Sequence, residues 1–308
     1  MLTMPYYMDV DPGVDDALAL VVAKSHVEVK GVTAVAGNVE LPKTFRNACK
    51  IMDLIDAPNI PVVAGSAEPL LASMHTAVDV HGDDGLGGYE REVDELGSRP
   101  TASVPGWVWL AAELEAAKSP SGIIASGPLT NIARLCLGFP HVLSQVRGLT
   151  IMGGSLSGGN VTSTAEFNFY ADPDAAEVVL GRVSGIRLVG LDVTHQVLLS
   201  WDDLRRFRQF GQVGDALFRM LSSYAGHLRD LGYGDGIAIH DVLAVAAAHQ
   251  PDFFMWEWMP LTVVRDGTLR GTLVAAPNAG DRSAVAVATG IRHDVFFSWF
   301  WEALEKYR

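Results

Sequence analysis

Short β-branched runs alternate along the chain with longer segments whose apolar residues recur at helical spacing. Strands are predicted at residues 6–10, 31–37, 61–65, 122–126, 149–152 and 186–193. Helices are predicted from Leu129 onward and at residues 15–24, 41–55, 104–117 and 173–180. This order is typical of βαβ units and predicts a mostly parallel, doubly wound α/β sheet with helices on both faces.

The sequence contains no internal repeat, low-complexity tract or long Pro/Gly/Ser linker that would separate domains. Because 49% of the 308 residues are hydrophobic, the chain can bury one large core. We therefore expect a single domain of Rossmann-like architecture over residues 1–308.

The charge balance excludes several classes of partner. With 23 basic and 36 acidic residues the formal net charge is −13, which repels phosphate backbones and anionic lipid heads. We therefore expect no nucleic-acid or membrane partner. A neutral small molecule and a divalent cation are both compatible with this charge.

Cysteine usage and the apolar segments favour a cytoplasmic protein. Cys49 and Cys136 lack the spacing of a zinc site or a disulfide framework. Residues 1–7 are too short and too polar for a signal peptide, and apolar stretches such as 242–248 are too short to span a bilayer. We therefore expect a protein of the reducing cytosol.

Polar side chains concentrate where the predicted strands lead into helices, which is where ligands bind in such sheets. The densest group is Asp-Val-Asp-Pro-Gly-Val-Asp-Asp at residues 9–16, with four carboxylates in eight residues. Asp15 and Asp16 alone could simply complement a helix N-terminus. Four carboxylates repel one another and call for a cation, and oxygen ligands without thiolate or imidazole favour Ca²⁺ or Mg²⁺.

Segment 9–16 resembles the N-terminal fingerprint of the inosine-uridine preferring nucleoside hydrolase family, and the resemblance continues through nearly the whole chain. The other motifs follow in the family's order: His-Gly-Asp-Asp-Gly-Leu-Gly at 81–87, Ser-Gly-Pro-Leu-Thr-Asn at 126–131, Met-Gly-Gly at 152–154, Ala-Glu-Phe-Asn at 165–168, Gly-Leu-Asp-Val-Thr-His at 190–195 and Ile-His-Asp at 239–241. Each motif is weak alone, but their shared order and spacing make a chance similarity improbable.

The resemblance implies a calcium-dependent enzyme that hydrolyses the N-glycosidic bond of ribonucleosides to ribose and free base. In such an enzyme Asp11, Asp16 and Asp241 ligate Ca²⁺ through carboxylates, and Ser126 ligates it through the main-chain carbonyl. Asp11 also acts as general base toward the calcium-bound water. Attack by this water in a single displacement implies inversion at the anomeric carbon.

The resemblance also implies the substrate contacts. The ribose hydroxyls would be held by Asp15, Asn160, Glu166 and Asn168. Asn38 is expected near the site, and His81 is expected to line the pocket of the base. A flap over the base would include Tyr224, His227, Leu228 and Tyr233. His195, Asp9, Asp83 and Asp84 are expected either to be structural or to support the residues that contact the ligand from behind.

His240 precedes Asp241 at the start of a predicted apolar helix. Without the family, this pair would be interpreted as a partly buried histidine followed by a helix cap. In the context of the family, His240 is the candidate acid that protonates the leaving base.

Two other functions remain open from the residues alone. A haloacid-dehalogenase-like phosphohydrolase would explain Asp9 and Asp11 at a strand end, but Gly13 stands where Thr or Val is usual. A non-catalytic calcium- or nucleoside-binding protein would keep the pocket without turnover. The favoured hypothesis is an enzyme that acts on a small-molecule ribonucleoside and assembles as a homodimer or homotetramer.

Overall fold

The structure, a computed structural model, describes residues 4–89, 100–230, 236–277 and 282–308. Its strands are β1 (Pro5–Val10), β2 (Glu28–Ala34), β3 (Val62–Ala64), β4 (Ser121–Ala125), β5 (Val146–Met152), β6 (Ile186–Val189), β7 (Leu198–Leu199), β8 (Ile237–Ala238), β9 (Phe254–Met259), β10 (Leu261–Val263), β11 (Leu273–Ala275) and β12 (Val285–Ile291).

The α-helices are α1 (Val14–His26), α2 (Leu41–Leu54), α3 (Val78–His81), α4 (Gly106–Ala116), α5 (Thr130–Gly138), α6 (Phe167–Ala171), α7 (Pro173–Arg182), α8 (Leu191–Thr194), α9 (Trp201–Arg206), α10 (Gly211–Asp230), α11 (His240–His249) and α12 (His293–Glu305). Short 3₁₀ helices occur at Pro140–Gln145, Phe207–Gln209, Pro251–Phe253 and Gly267–Leu269.

Eight strands form the central sheet in the order β3-β2-β1-β4-β5-β6-β12-β9. Every neighbouring pair in this sheet is parallel except β12 and β9, which are antiparallel. The predicted α/β class with a mostly parallel sheet is therefore confirmed, and the antiparallel strand lies at one edge.

Helices cover both faces of this sheet. Side chains along each strand alternate between the two faces and so belong alternately to two cores. In β1, Tyr6 and Met8 belong to one buried cluster, whereas Tyr7 belongs to the other. The first cluster contains side chains from α1, α2, α10, α11 and α12, and the second contains side chains from α4, α5 and α7. The predicted doubly wound arrangement is thus confirmed.

Helices α1 and α11 pass through the first of these cores and pack against each other. Residues 14–23 of α1 and 241–248 of α11 are all buried. Residues 17–23 of α1 and 242–248 of α11 are apolar on every side, which is the composition of a helix enclosed by protein. Both first turns carry aspartates, so the core helices begin at charged side chains.

Two predicted strands have different bounds in the structure. Strand β2 spans Glu28–Ala34 instead of 31–37. Its first three residues alternate exposed Glu28 and Lys30 with buried Val29, so the apolar run that predicted the strand begins later than the strand itself. Strand β6 ends at Val189 instead of 193, because the Thr194 N–H bonds the Gly190 carbonyl and closes the helical turn of α8.

The segment expected to form a flap is helical up to Asp230. Tyr224, His227 and Leu228 lie on the long helix α10, and Tyr224 and Leu228 also line the cavity at the carboxyl ends of the strands. Tyr233 lies outside the described residues.

Candidate active site

A cavity of about 510 Å³ lies beyond the carboxyl ends of β1, β4 and β5, where the chain leaves the sheet. It is lined by nearly all residues that the sequence nominated: Asp11, Asp15, Asn38, His81, Ser126, Asn160, Glu166, Asn168, His240 and Asp241. Asp16, the remaining nominated residue, is fully buried next to them. Residues separated by more than two hundred positions in sequence thus meet at one site.

Three carboxylates form the tightest group of potential metal ligands among the described residues. Asp15, Asp16 and Asp241 each offer an oxygen, and these oxygens lie within 4.8 Å of one another. The set expected from the family had Asp11 in place of Asp15. Asp11 follows β1, is buried beside the group, and interacts electrostatically with Asp16 and Asp15.

Burial and mutual repulsion make this group unfavourable without a cation. Loss of solvent raises the pKa of Asp15 to about 6, and loss of solvent together with Asp15 raises that of Asp16 to about 6. Burial, reinforced by the neighbouring aspartates, also raises the pKa values of Asp11 and Asp241 well above their ordinary range. A bound cation would offset this repulsion.

The donor atoms fit a hard cation. The Ser126 hydroxyl contacts the carboxylate oxygens at Asp16 Oδ1, and neither thiolate nor imidazole belongs to the group. Asp15 Oδ1 is buried and has no hydrogen-bond partner among the described residues. An unsatisfied buried carboxylate oxygen is expected where a metal ion or a substrate hydroxyl binds.

Asn38 fixes two of the aspartates from the loop after β2. Its backbone N–H donates to Asp11 Oδ2 at 2.7 Å, and its side-chain amide donates to Asp16 Oδ2 at 3.2 Å. A Cβ at the preceding Gly37 would overlap the Asp11 carboxylate, so glycine is required for this approach. Asn38 therefore positions carboxylates as well as lining the cavity.

The amides near the proposed sugar site have complementary hydrogen-bonding roles. Asn168 donates from Nδ2 to the carbonyls of Ser126 at 2.6 Å and Met152 at 3.2 Å, which leaves Oδ1 as its acceptor. Asn160 accepts the Phe167 N–H through Oδ1 at 2.9 Å, which leaves Nδ2 as its donor. Together they offer one acceptor and one donor to a neutral polyol.

Glu166 is the N-cap of α6 and is 2% exposed. Its carboxylate accepts the backbone N–H groups of Gly154 at 2.8 Å, Asn168 at 2.9 Å and Phe169 at 3.2 Å. Glu166 is therefore a buried helix cap and not a solvated loop residue. The cap fixes Asn168 at the cavity wall.

Two histidines in the cavity are neutral and fixed by neighbours. Burial, with His195 and His81, lowers the pKa of His240 to about 3, and its Nδ1 lies 2.8 Å from the Thr194 hydroxyl. Burial also lowers the pKa of His81 to about 4, and its Nδ1 accepts the Val14 N–H at 3.3 Å. An acid role for His240 therefore requires proton uptake when substrate binds.

Sequence reasoning missed part of the cavity wall. His195, expected to be structural or to support the site from behind, lines the cavity itself, and its ring centre lies 5.6 Å from that of His240. His75 and Tyr170 were not singled out, yet both line the cavity with ring centres 5.1 Å apart. A loop histidine and a helix tyrosine carry no motif, so the sequence offered no signal for them.

Asp9, Asp83 and Asp84 lie outside this cavity wall. Asp9 accepts the Asn131 amide at 2.7 Å and so ties β1 to α5. Asp84 accepts the Leu86 N–H at 3.0 Å and thereby fixes the loop that follows His81. Among the described residues, every helix is too short or too polar to cross a lipid bilayer.

Comparison with known proteins gives one consistent family. The model of the inosine-uridine preferring nucleoside hydrolases matches residues 6–298. The chain is 36% identical to the non-specific ribonucleoside hydrolase RihC of Shigella flexneri over 98% of this chain and 99% of that protein. Its RihC counterpart in Escherichia coli K12 shows the same identity and coverage.

Solved structures agree with the sequence matches. A purine-preferring ribonucleoside hydrolase from Gardnerella vaginalis superposes with a TM-score of 0.92 at 27% identity, covering 98% of each chain. A plant nucleoside hydrolase, PpNRh1, also gives a TM-score of 0.92 at 27% identity, covering 98% of this chain and 99% of that one. Neither the phosphohydrolase nor the non-catalytic alternative is supported by these matches. The chain therefore belongs to the inosine-uridine preferring nucleoside hydrolase family, as an enzyme that hydrolyses the N-glycosidic bond of ribonucleosides.

Proposed function

We propose that the protein is a calcium-dependent ribonucleoside hydrolase with broad tolerance of the base. This proposal rests on one observation: a single cavity brings together a buried group of carboxylates, two amides that can bind a sugar, and two imidazoles. The carboxylates suit a hard divalent cation, and the amides suit an uncharged furanose.

Asp11, Asp16 and Asp241 would hold Ca²⁺ through carboxylates and Ser126 through its carbonyl, while Asp15 would accept a ribose hydroxyl. Asp15 is close enough to the metal group for the substrate hydroxyl and the ion to be neighbours. When bound, Ca²⁺ would orient the attacking water and make it more acidic. Asn160, Glu166 and Asn168 would complete the ribose contacts, with Asn38 and His81 beside them.

Asp11 is the candidate general base. Asn38 holds its Oδ2, so Oδ1 is the oxygen left to take the proton from the attacking water. The water would displace the base in one step, with inversion at the anomeric carbon. His240 is the candidate acid that delivers a proton to the departing base, in a position set by Thr194.

Broad base tolerance is supported by the apolar side chains of the cavity wall. Leu198, Leu228 and Ala238 are among the residues that line the cavity. Apolar side chains contact the faces of any base and do not discriminate between hydrogen-bonding edges. The curated relatives named above are called non-specific, which agrees with this composition.

The test is release of reducing sugar from a panel of purine and pyrimidine ribonucleosides by the calcium-loaded enzyme. We expect hydrolysis of both classes with kcat/KM values within about a hundredfold of each other, because a few lost contacts cost only a few kcal/mol. No sugar release from any member would contradict the enzymatic proposal. Release from one class alone would contradict broad tolerance.

The cellular setting follows from the same reasoning. We infer one nucleoside hydrolase domain over residues 1–308, located in the cytoplasm, where the buried Cys49 and Cys136 would stay reduced. The family resemblance further suggests a homodimer or homotetramer. Light scattering of the purified chain tests the assembly, and a monomeric mass would contradict it.

A further inference from the structure

Ser126 joins the carboxylate group to the sugar-binding amides through two different atoms. Its hydroxyl lies 2.7 Å from Asp16 Oδ1, and its carbonyl accepts the Asn168 amide at 2.6 Å. The residue is 2% exposed and follows the end of β4, so its backbone is held by the central sheet. The family resemblance assigns it only a main-chain role, which leaves the hydroxyl unexplained.

The hydroxyl must donate to Asp16 when that carboxylate is ionised, because an ionised carboxylate only accepts. The other oxygen of Asp16, Oδ2, accepts the Gly13 N–H at 3.0 Å and the Asn38 amide at 3.2 Å. Asp16 is thus held from both oxygens and cannot rotate about its Cβ–Cγ bond without losing a hydrogen bond. A ligand fixed in this way does not have to be ordered when the ion binds.

We propose that the Ser126 hydroxyl is a positioning group that orients Asp16 for metal binding, separately from the main-chain carbonyl of the same residue. This inference rests on the metal assignment made under the proposed function. Substitutions of Ser126 separate its two roles, because alanine keeps the carbonyl and loses the hydroxyl, whereas threonine keeps both.

A matched control exists elsewhere in the chain. The Thr130 hydroxyl donates to Asp172 Oδ2 at 2.6 Å, and both residues are buried. Asp172 caps α7 and lies outside the carboxylate group and the cavity wall. Thr130→Val therefore removes the same kind of hydroxyl–carboxylate bond without touching the proposed metal ligands.

The experiment measures the Kd for Ca²⁺ by titration calorimetry on chelator-stripped protein, without substrate. We expect Ser126→Ala to raise the Kd about 10–100-fold, as is usual when a group that orients a metal ligand is removed. Ser126→Thr should rescue the affinity to within about threefold of wild type. Thr130→Val should lower the unfolding temperature and leave the Kd within about twofold.

The outcomes separate this inference from the proposed function. Wild-type protein that binds no Ca²⁺ would contradict the metal assignment itself. Wild-type binding with an unchanged Kd in Ser126→Ala would overturn the positioning role and leave the assignment intact. If Ser126→Ala does not fold, Ser126→Cys, whose thiol is a weaker donor, replaces it, and an unchanged Kd there is the overturning result.

Discussion

The Thr194 hydroxyl lies 2.8 Å from His240 Nδ1, which joins the end of α8 to the first residue of α11. Since this contact occupies one ring nitrogen, Nε2 is the nitrogen left for a substrate. The contact therefore fixes which atom of His240 can reach the leaving base.

His240→Ala should lower kcat at least about a hundredfold on the best natural nucleoside, because protonation of a poor leaving group contributes roughly 10²–10⁴-fold. Hydrolysis of p-nitrophenyl riboside should stay within about tenfold, since p-nitrophenolate departs without an acid. Steady-state kinetics on both substrates measure the difference. Equal losses would mean that His240 supports Asp241 instead. Loss on neither would assign the proton to another group.

Asp11→Asn should fold normally and lose at least about a thousandfold in kcat, because the amide cannot take a proton from the attacking water. Asp172→Asn is the matched control, since it changes a buried carboxylate outside the cavity wall. The control should lose thermal stability and keep kcat within about tenfold. Near wild-type turnover in Asp11→Asn would show that another group activates the water.

Ribonucleosides should exceed 2′-deoxyribonucleosides in kcat/KM by orders of magnitude. Without the 2′ hydroxyl, a buried polar atom such as Asp15 Oδ1 is left without a partner, at a cost of several kcal/mol. Inosine and 2′-deoxyinosine form the comparison. Similar kcat/KM values for the two would refute the proposed ribose contacts.

Purified protein should contain about one calcium ion per chain, because the buried carboxylates of Asp15, Asp16 and Asp241 lack a compensating charge in their group. Elemental analysis by mass spectrometry gives the ratio. Removal of the metal by a chelator should abolish turnover, and Ca²⁺ should restore it. Zinc in its place, or full activity after exhaustive chelation, would contradict this expectation.

At the opposite ends of α1 and α11, His26 and His249 stack with ring centres 5.4 Å apart. Trp299 donates from Nε1 to His249 Nδ1 at 3.1 Å and stacks on His26 at 4.3 Å. Burial, with Lys306 nearby, lowers the pKa of His249. Burial also lowers the pKa of His26, opposed by its hydrogen bond to the Trp299 carbonyl and by Glu302, whereas His249 and Lys306 add to the lowering.

As the pH falls below the ordinary histidine pKa, the unfolded chain takes up these protons first, so the free energy of unfolding decreases. His249→Gln keeps an acceptor for Trp299 and removes one of these protons. We therefore expect a shallower loss of stability between pH 7.5 and 5, measured by urea unfolding at several pH values. The exposed His293 provides the control variant His293→Gln. Identical pH slopes for wild type and His249→Gln would contradict the expectation.

The sequence predicted the fold class and most of the cavity because both depend on local patterns. The alternation of strand and helix identified the sheet, and motifs such as that at 9–16 marked strand ends that converge in a parallel sheet. The start of β2 was placed too late because the exposed Glu28 and Lys30 interrupt the apolar pattern over its first residues.

Contacts between distant segments could not be predicted in the same way. The expected metal set named Asp11, whereas the tightest group contains Asp15, because the side-chain directions depend on how α1 packs against α11. His195 was not expected in the cavity wall itself for the same reason, since the position of α11 brings it beside His240. The Ser126 hydroxyl was also missed, because its partner Asp16 lies 110 residues away.

The burial of α1 and α11 has a consequence for protein engineering. Their first turns carry the like-charged Asp15, Asp16 and Asp241, so the elements that build the core also carry its most unfavourable electrostatics. Replacing these aspartates with asparagine should yield an inactive chain that withstands more heat than the metal-free wild type. Selection of metal-free protein for stability alone would therefore favour variants that have lost activity. Stabilising substitutions are better sought in the second core, around α4, α5 and α7.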